Sequence, residues 1–235
     1  MSLGNKQALY KQSLRGLVFK MDINIVGRLQ SSIAGIFLLL IFSYNVEAFD
    51  FSGWDELVKK YVAPKTIDQI PIYAVDYYGL KKDPMFTGLV SNLNSFNPEI
   101  LVSRESKLTF WINAYNIFAV KMVADHYPVE SIKDLGSFFK PVWKRAAGNV
   151  GGKITTLNNI EHEILRKMDE PRIHMAIVCA SISCPDLRPE AYNENKLNEQ
   201  LDDQMRKFLK SQEKGLRLEK GAIYLSSIFK WFEDD

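Results

Sequence analysis

SKLTFWINAYNIFAVKMVADH, Ser106 to His126, is the stretch on which the fold turns. It holds neither glycine nor proline and is stopped by Pro128, so a helix can run its full length. Apolar side chains lie around most of its circumference, and a helix that is hydrophobic nearly all round belongs inside a core. The rest of the domain is expected to wrap around it. Asn113 and Asn116 share one face of this helix, three positions apart. Carboxamides there can donate to a substrate carbonyl or oxyanion, or tie a connecting loop to the core.

Toward the N-terminus, Asp55 to Val62 (DELVKKYV) reads as an amphipathic helix closed by Pro64, and Val75 to Tyr78 and Phe86 to Leu93 as short elements around the turn-like GLKKDP. Toward the C-terminus, Phe138 to Trp143 (FFKPVW) is an aromatic connector and Asn149 to Ile154 (NVGGKI) a tight hairpin. A second helix is expected from Thr155 or Thr156, either of which can cap it, through LNNIEHEILRKM to Met168. The run RIHMAIVCA, Arg172 to Ala180, is apolar on both faces and reads as a central buried strand. SISCPDLRPE is then a loop and Asn195 to Leu209 an amphipathic helix. Leu216 to Leu218 and Ala222 to Leu225 form a hairpin about Glu219-Lys220-Gly221, and Ser226-Ser227 caps a final turn, IFKWF. The fold class is α+β: a single domain with a buried central helix, a small mostly antiparallel sheet and peripheral helices.

Ahead of this domain, Ile33 to Phe42 (IAGIFLLLIF) is an apolar run of ten that follows Lys6, Lys11, Arg15, Lys20 and Arg28. As a helix it spans about 15 Å, half of a bilayer core. A basic lead, a short apolar stretch and a small-residue exit match a secretory signal peptide, with cleavage after Ala48. Met21 offers an alternative start. The expected organisation is an extension and signal peptide over 1–48, a helical lead-in over 49–100 and the core over 101–235. A periplasmic or secreted location follows, with membrane contact only through an uncleaved leader.

The 235 residues are 46% hydrophobic and 25% charged, with 30 basic and 28 acidic side chains, a composition that excludes whole-chain disorder. Residues 1–48 carry five of the basic and two of the acidic groups, which leaves the remainder at a net charge of −1. Nucleic acid is therefore not an expected partner. Two cysteines are too few for a disulfide-dense scaffold.

Glu161 falls in the middle of the stripe made by Leu157, Ile160, Ile164, Leu165 and Met168. A carboxylate there must pair, accept a donor or take up a proton, either as a structural hydrogen bond or as an orienting or acid/base group. His174 sits in the apolar run, as a satisfied core histidine or as a partner of Glu161, which the helix–strand layout sets opposite it. Cys179 is the candidate nucleophile. In a fully extended strand it lies about 16 Å from His174, so a direct bond requires the strand to end early or bend. His162, at the edge of the helical stripe, is the alternative base. Cys184 offers a rival account, a Cys179–Cys184 disulfide closing a short loop. A metal site built from His162, His174, Cys179 and Cys184 matches no motif spacing, so neither metal nor cofactor is expected.

FWINAYN (Phe110–Asn116), GGKITTLNNIEHEILR (Gly151–Arg166), RIHMAIVCASISCPDLR (Arg172–Arg188) and IYLSSIFKWF (Ile223–Phe232), in this order, resemble the family called domain of unknown function 547. Bacterial members of that family often carry an export signal. The resemblance implies a Glu-His-Cys constellation similar to that of thiol-dependent peptidases and acyltransferases, with Glu161 and His162 from IEH, His174 from RIH and Cys179 from VCAS. It also implies a chain that continues past KWF, so a short C-terminal closing element would be lacking after Asp235, or the sequence is a fragment.

Two functions use the same residues. In one, an exported thiol hydrolase or acyl/aminoacyl transferase, Cys179 attacks an amide or thioester carbonyl of a small-molecule or peptide-like substrate. A histidine then moves the proton, and main-chain N–H groups near Ala180 and Ser181 receive the oxyanion. In the other, a periplasmic binding or assembly module, Glu161 and His174 are a structural pair and the cysteines are joined.

Overall fold

The computed structural model describes residues 48–129, 131–137 and 141–235. The signal peptide read over residues 1–48 lies outside them except for Ala48, as does the first half of the aromatic connector, residues 138–140. The described residues belong to the second of two units into which the chain divides, residues 46–235. Among them no helix is long and apolar enough to cross a membrane.

The chain opens with α1 (Ser52–Tyr61), whose Trp54, Leu57 and Val58 are buried. It runs straight into β1 (Val62–Ile67), so Pro64 lies in a strand rather than beyond a helix end. Pro64 is tolerated because β1 pairs only with β2 (Ile70–Val75) in an isolated two-stranded ribbon. Two short helices follow, α2 (Tyr77–Lys82) and α3 (Pro84–Ser95). Asp76 and Asp83 cap them by accepting from the Gly79 and Met85 N–H groups.

Helix α4 (Arg104–His126) is the buried centre. Ser103 caps it by accepting from Ser106 N, and Phe110, Ile112, Ile117 and Phe118 are each at most 1% exposed. Burial of one such side chain contributes about 1.5–3 kcal/mol. Phe49, Phe96 and Trp111 gather round Phe110 with ring centroids 5.0 to 5.7 Å away, closing one end of the core.

β3 (Ala146–Val150) and β4 (Lys153–Thr156) form the hairpin expected around Gly151-Gly152, both at positive φ. The helical run that follows departs from the expected α-helix, because Asn159–Leu165 is a π-helix. Thr156 does act as its cap, accepting from Asn159 N at 3.0 Å. A π-helix closes i→i+5 bonds and so turns less per residue than an α-helix. Neighbouring side chains therefore diverge less around its axis.

The expected strand from Arg172 to Ala180 does not form. Ile173–Ala176 is instead one helical turn, α5, followed by extended residues. An apolar run on both faces fits a buried strand or a buried helix equally, and here the main chain finds partners without a neighbouring strand. The Asn116 carboxamide supplies two of them, as Nδ2 donates to Ala176 O at 2.9 Å and Oδ1 accepts from Val178 N at 3.0 Å.

α6 (Leu197–Lys210) packs Leu197, Leu201 and Phe208 inward. β5 (Leu216–Glu219) and β6 (Ala222–Leu225) make the last hairpin, and α7 (Ile228–Trp231) the last turn. Gly215 sits so close to the Phe208 carbonyl that any side chain there would collide with backbone. The buried Lys214 ammonium bonds Asp186 at 2.6 Å, fixing the base of the hairpin to the 185–188 loop. The described architecture is an α+β single domain with three separate antiparallel hairpins in place of one small sheet.

Candidate functional site

The π-helix, the segment after α5 and the terminal hairpin enclose a cleft of about 900 Å³. Glu161, His162, His174, Cys179 and Ser181 all line it. The gentler rotation of the π-helix explains why the adjacent Glu161 and His162 both reach one cavity. The helical turn at Ile173–Ala176 likewise shortens the path from His174 to Cys179, since a helix rises about 1.5 Å per residue against about 3.3 Å in a strand.

His174 is nearly buried, its side chain 4% exposed, and lies between two carboxylates. Its Nε2 is 2.7 Å from Asp235 Oδ2, and its Nδ1 is 3.9 Å from Glu161 Oε1. A carboxylate only accepts, so Nε2 carries the proton donated to Asp235, and Nδ1 faces Glu161 beyond direct hydrogen-bond range. The Phe232 ring stacks on the imidazole, centroids 3.7 Å apart.

Asp235 is in turn gripped by Arg166, whose Nε lies 2.7 Å and Nη2 2.5 Å from its two oxygens. The guanidinium, helped by the His174 N–H, holds the Asp235 carboxyl down to about 2. Arg166 also donates from Nη1 to His162 Nδ1 at 3.1 Å. Because a guanidinium cannot accept, the His162 ring proton sits on Nε2.

Glu161 receives the Tyr115 hydroxyl at 3.3 Å. Burial, and then the adjacent carboxylate, push the Tyr115 phenol well above its ordinary range, so it stays a donor.

Cys179 and Cys184 are joined as a disulfide, with Cα atoms 6.2 Å apart. In this state Cys179 is not a nucleophile. Ala180, next to it, has φ +51°, a left-handed conformation that costs a side-chain-bearing residue energy and clusters at functional sites. Ser181 O accepts from Cys184 N at 3.0 Å, closing the turn beneath the bridge.

Asn113 and Asn116 are buried and do not line the cleft. Asn113 Nδ2 donates to Tyr192 O and its Oδ1 accepts from Tyr192 N, at 2.9 and 3.0 Å, as Asn116 does for Ala176 and Val178. Their assignment to substrate gives way to the loop-tying use.

Sequence reasoning missed Arg166, Phe232, Tyr115 and Asp235. Arg166 had a signal, standing four residues after His162 on one helical face, and Phe232 lies in the KWF motif; Asp235 had none. Among the described residues no three His, Cys, Asp or Glu side chains are grouped to hold a metal.

No curated protein and no solved structure matches the chain. Residues 100–209, which carry α4, Glu161, both site histidines and both cysteines, match the model of the family described as protein of unknown function, DUF547.

Proposed function

We propose that the cleft is the working site of a thiol-dependent hydrolase or acyl/aminoacyl transferase, with Cys179 as nucleophile once the bond to Cys184 is reduced. The observation that carries this reading is the meeting of Cys179, His174, His162 and Glu161 on one cleft, beside the left-handed Ala180. A dithiol reductant supplies two electrons and two protons to open the bridge. The Cys179 thiolate then attacks an amide or thioester carbonyl, forming a new C–S bond as the C–N or old C–S bond breaks. The proton held by a histidine passes to the leaving amine or thiol, and water or an amine acceptor releases the acyl group.

His174 is the favoured base. Its Nδ1 is free to accept, and Asp235 fixes the ring as a positioning residue. His162 has its Nδ1 committed to Arg166. Export of residues 49–235 to the periplasm or medium is part of the proposal and rests on the leader sequence.

A second reading is favoured by the joined cysteines themselves: a binding or assembly module in which the bridge shapes the cleft and the His174–carboxylate contacts are structural.

A fluorescent iodoacetamide tests the choice. Labelling of Cys179 near neutral pH in the reduced protein, faster than a free thiol and lost in His174→Ala, is expected for the enzyme. Labelling at the rate of an ordinary exposed thiol, unchanged in His174→Ala and His162→Ala, defeats it and leaves the binding module.

A further inference from the structure

The terminal hairpin is amphipathic, and its apolar face is uncovered. Pairing of Leu216 with Leu225 and of Leu218 with Ile223 sets four aliphatic side chains on one face, with Arg217, Glu219, Ala222 and Tyr224 on the other. Leu218 is 71% exposed, Ile223 65% and Leu225 55%. Burying them would release apolar surface that the domain leaves in water.

The main chain makes the occupant specific. Ser226 N donates to Gly215 O at 2.8 Å, and Lys220 and Gly221, both at positive φ, form the two-residue turn that closes on Glu219 and Ala222. In an antiparallel ribbon, hydrogen-bonded and non-hydrogen-bonded pairs alternate. Gly215–Ser226, Arg217–Tyr224 and Glu219–Ala222 are then the bonded pairs. The N–H and C=O groups of Ile223 and Leu225 consequently point away from β5, and no hydrogen bond reaches them from a described residue. β5 backs onto α6, whereas every residue of β6 is exposed. The free edge runs directly into the cleft, whose wall includes Tyr224, Leu225, Ser226 and Ser227.

We propose that β6 is a docking edge onto which an extended polypeptide segment adds as a third strand, leading it into the cleft. The substrate class is thereby a polypeptide with apolar side chains at alternate positions. This deepens the function proposed above and rests on the cleft being its working site. Two donors and two acceptors, spaced by two residues beside an aliphatic face, match a peptide backbone. A lipid surface would take the aliphatic face and leave those four groups unmatched.

The test uses the full chain with its disulfide intact and two fluorescein-labelled hexapeptides of alternating valine and threonine, one N-methylated at alternate peptide groups. Fluorescence anisotropy is expected to show the plain peptide binding at least about tenfold more tightly than the methylated one. Leu225→Pro removes an outward N–H that gives nothing to β5, and is expected to weaken the plain peptide by about tenfold as well. Should that variant not fold, the peptide pair on the unaltered protein decides alone. Equal binding of the two peptides, or none, overturns the proposal. So does sedimentation showing self-association in place of peptide binding, or flotation with phosphatidylcholine vesicles in its place. Peptide binding without histidine-dependent thiol reactivity supports the edge and defeats the thiol chemistry; the converse overturns the edge alone.

Discussion

His174 and Asp235 are joined by a 2.7 Å hydrogen bond between Nε2 and Oδ2, across 61 residues of chain. Because Arg166 grips the same carboxylate and Phe232 stacks on the same imidazole, the last turn of the chain sets the orientation of the histidine in the cleft.

That bond carries a pH dependence with a definite sign. Asp235 has a folded value of about 2 against an ordinary 3.8, so its stabilisation is fully present above pH 3.8 and is lost as pH falls toward 2. The difference in thermal midpoint between the parent and Asp235→Asn should shrink as pH falls from about 4 toward 2. A difference that grows on acidification would contradict the assignment.

Tyr115→Phe deletes the donor to Glu161 and should cost about 1 kcal/mol or more in urea unfolding, with the fold kept. The parent and the variant should also have the same phenolate absorbance change up to about pH 11, since Tyr115 does not ionise where exposed tyrosines do. A missing tyrosine step in the variant over that range would show that Tyr115 titrates normally.

Asn116→Ala leaves Ala176 O and Val178 N buried without partners, and about 2–4 kcal/mol should be lost, measured as a fall in denaturant midpoint. Asn116→Asp should fail to restore it. A carboxylate can accept from Val178 N but has no proton for Ala176 O. Full stability in the aspartate variant would count against the two-bond account.

Intact-mass measurement should find two thiols after reduction and none before. Opening a loop of sequence separation 5 removes a constraint on the unfolded chain worth about 2 kcal/mol, so the reduced protein should unfold at lower denaturant. An unchanged midpoint would mean that the bridge costs the folded 179–184 turn as much as it takes from the unfolded chain, consistent with a reactive rather than structural role.

The buried helix at Arg104–His126, the Gly-Gly hairpin and the terminal hairpin were legible because each rests on local chemistry: apolar residues on every face, two glycines at positive φ, alternation around a turn. Residues 172–180 were not legible. Hydrophobicity on both faces records burial but not the backbone, and Asn116, 60 residues upstream of Ala176, supplies the partners that a strand would have needed. The π-helix is similarly hidden, since α and π spacing differ by one residue in the bond and by little in the sequence pattern.

For the site, residue chemistry alone determined the candidates. A carboxylate within an apolar stripe, a histidine in an apolar run and two cysteines with a separation of 5 each demand an explanation wherever they fold. Only the tertiary structure decided that they share one cleft, that the cysteines are bonded to each other, and that the carboxylate bonded to His174 is Asp235, with Glu161 3.9 Å away. The physical reason is range. Periodicity and capping act over a few residues, while the bonds of His174 and Arg166 to Asp235 join groups that only packing brings within 3 Å.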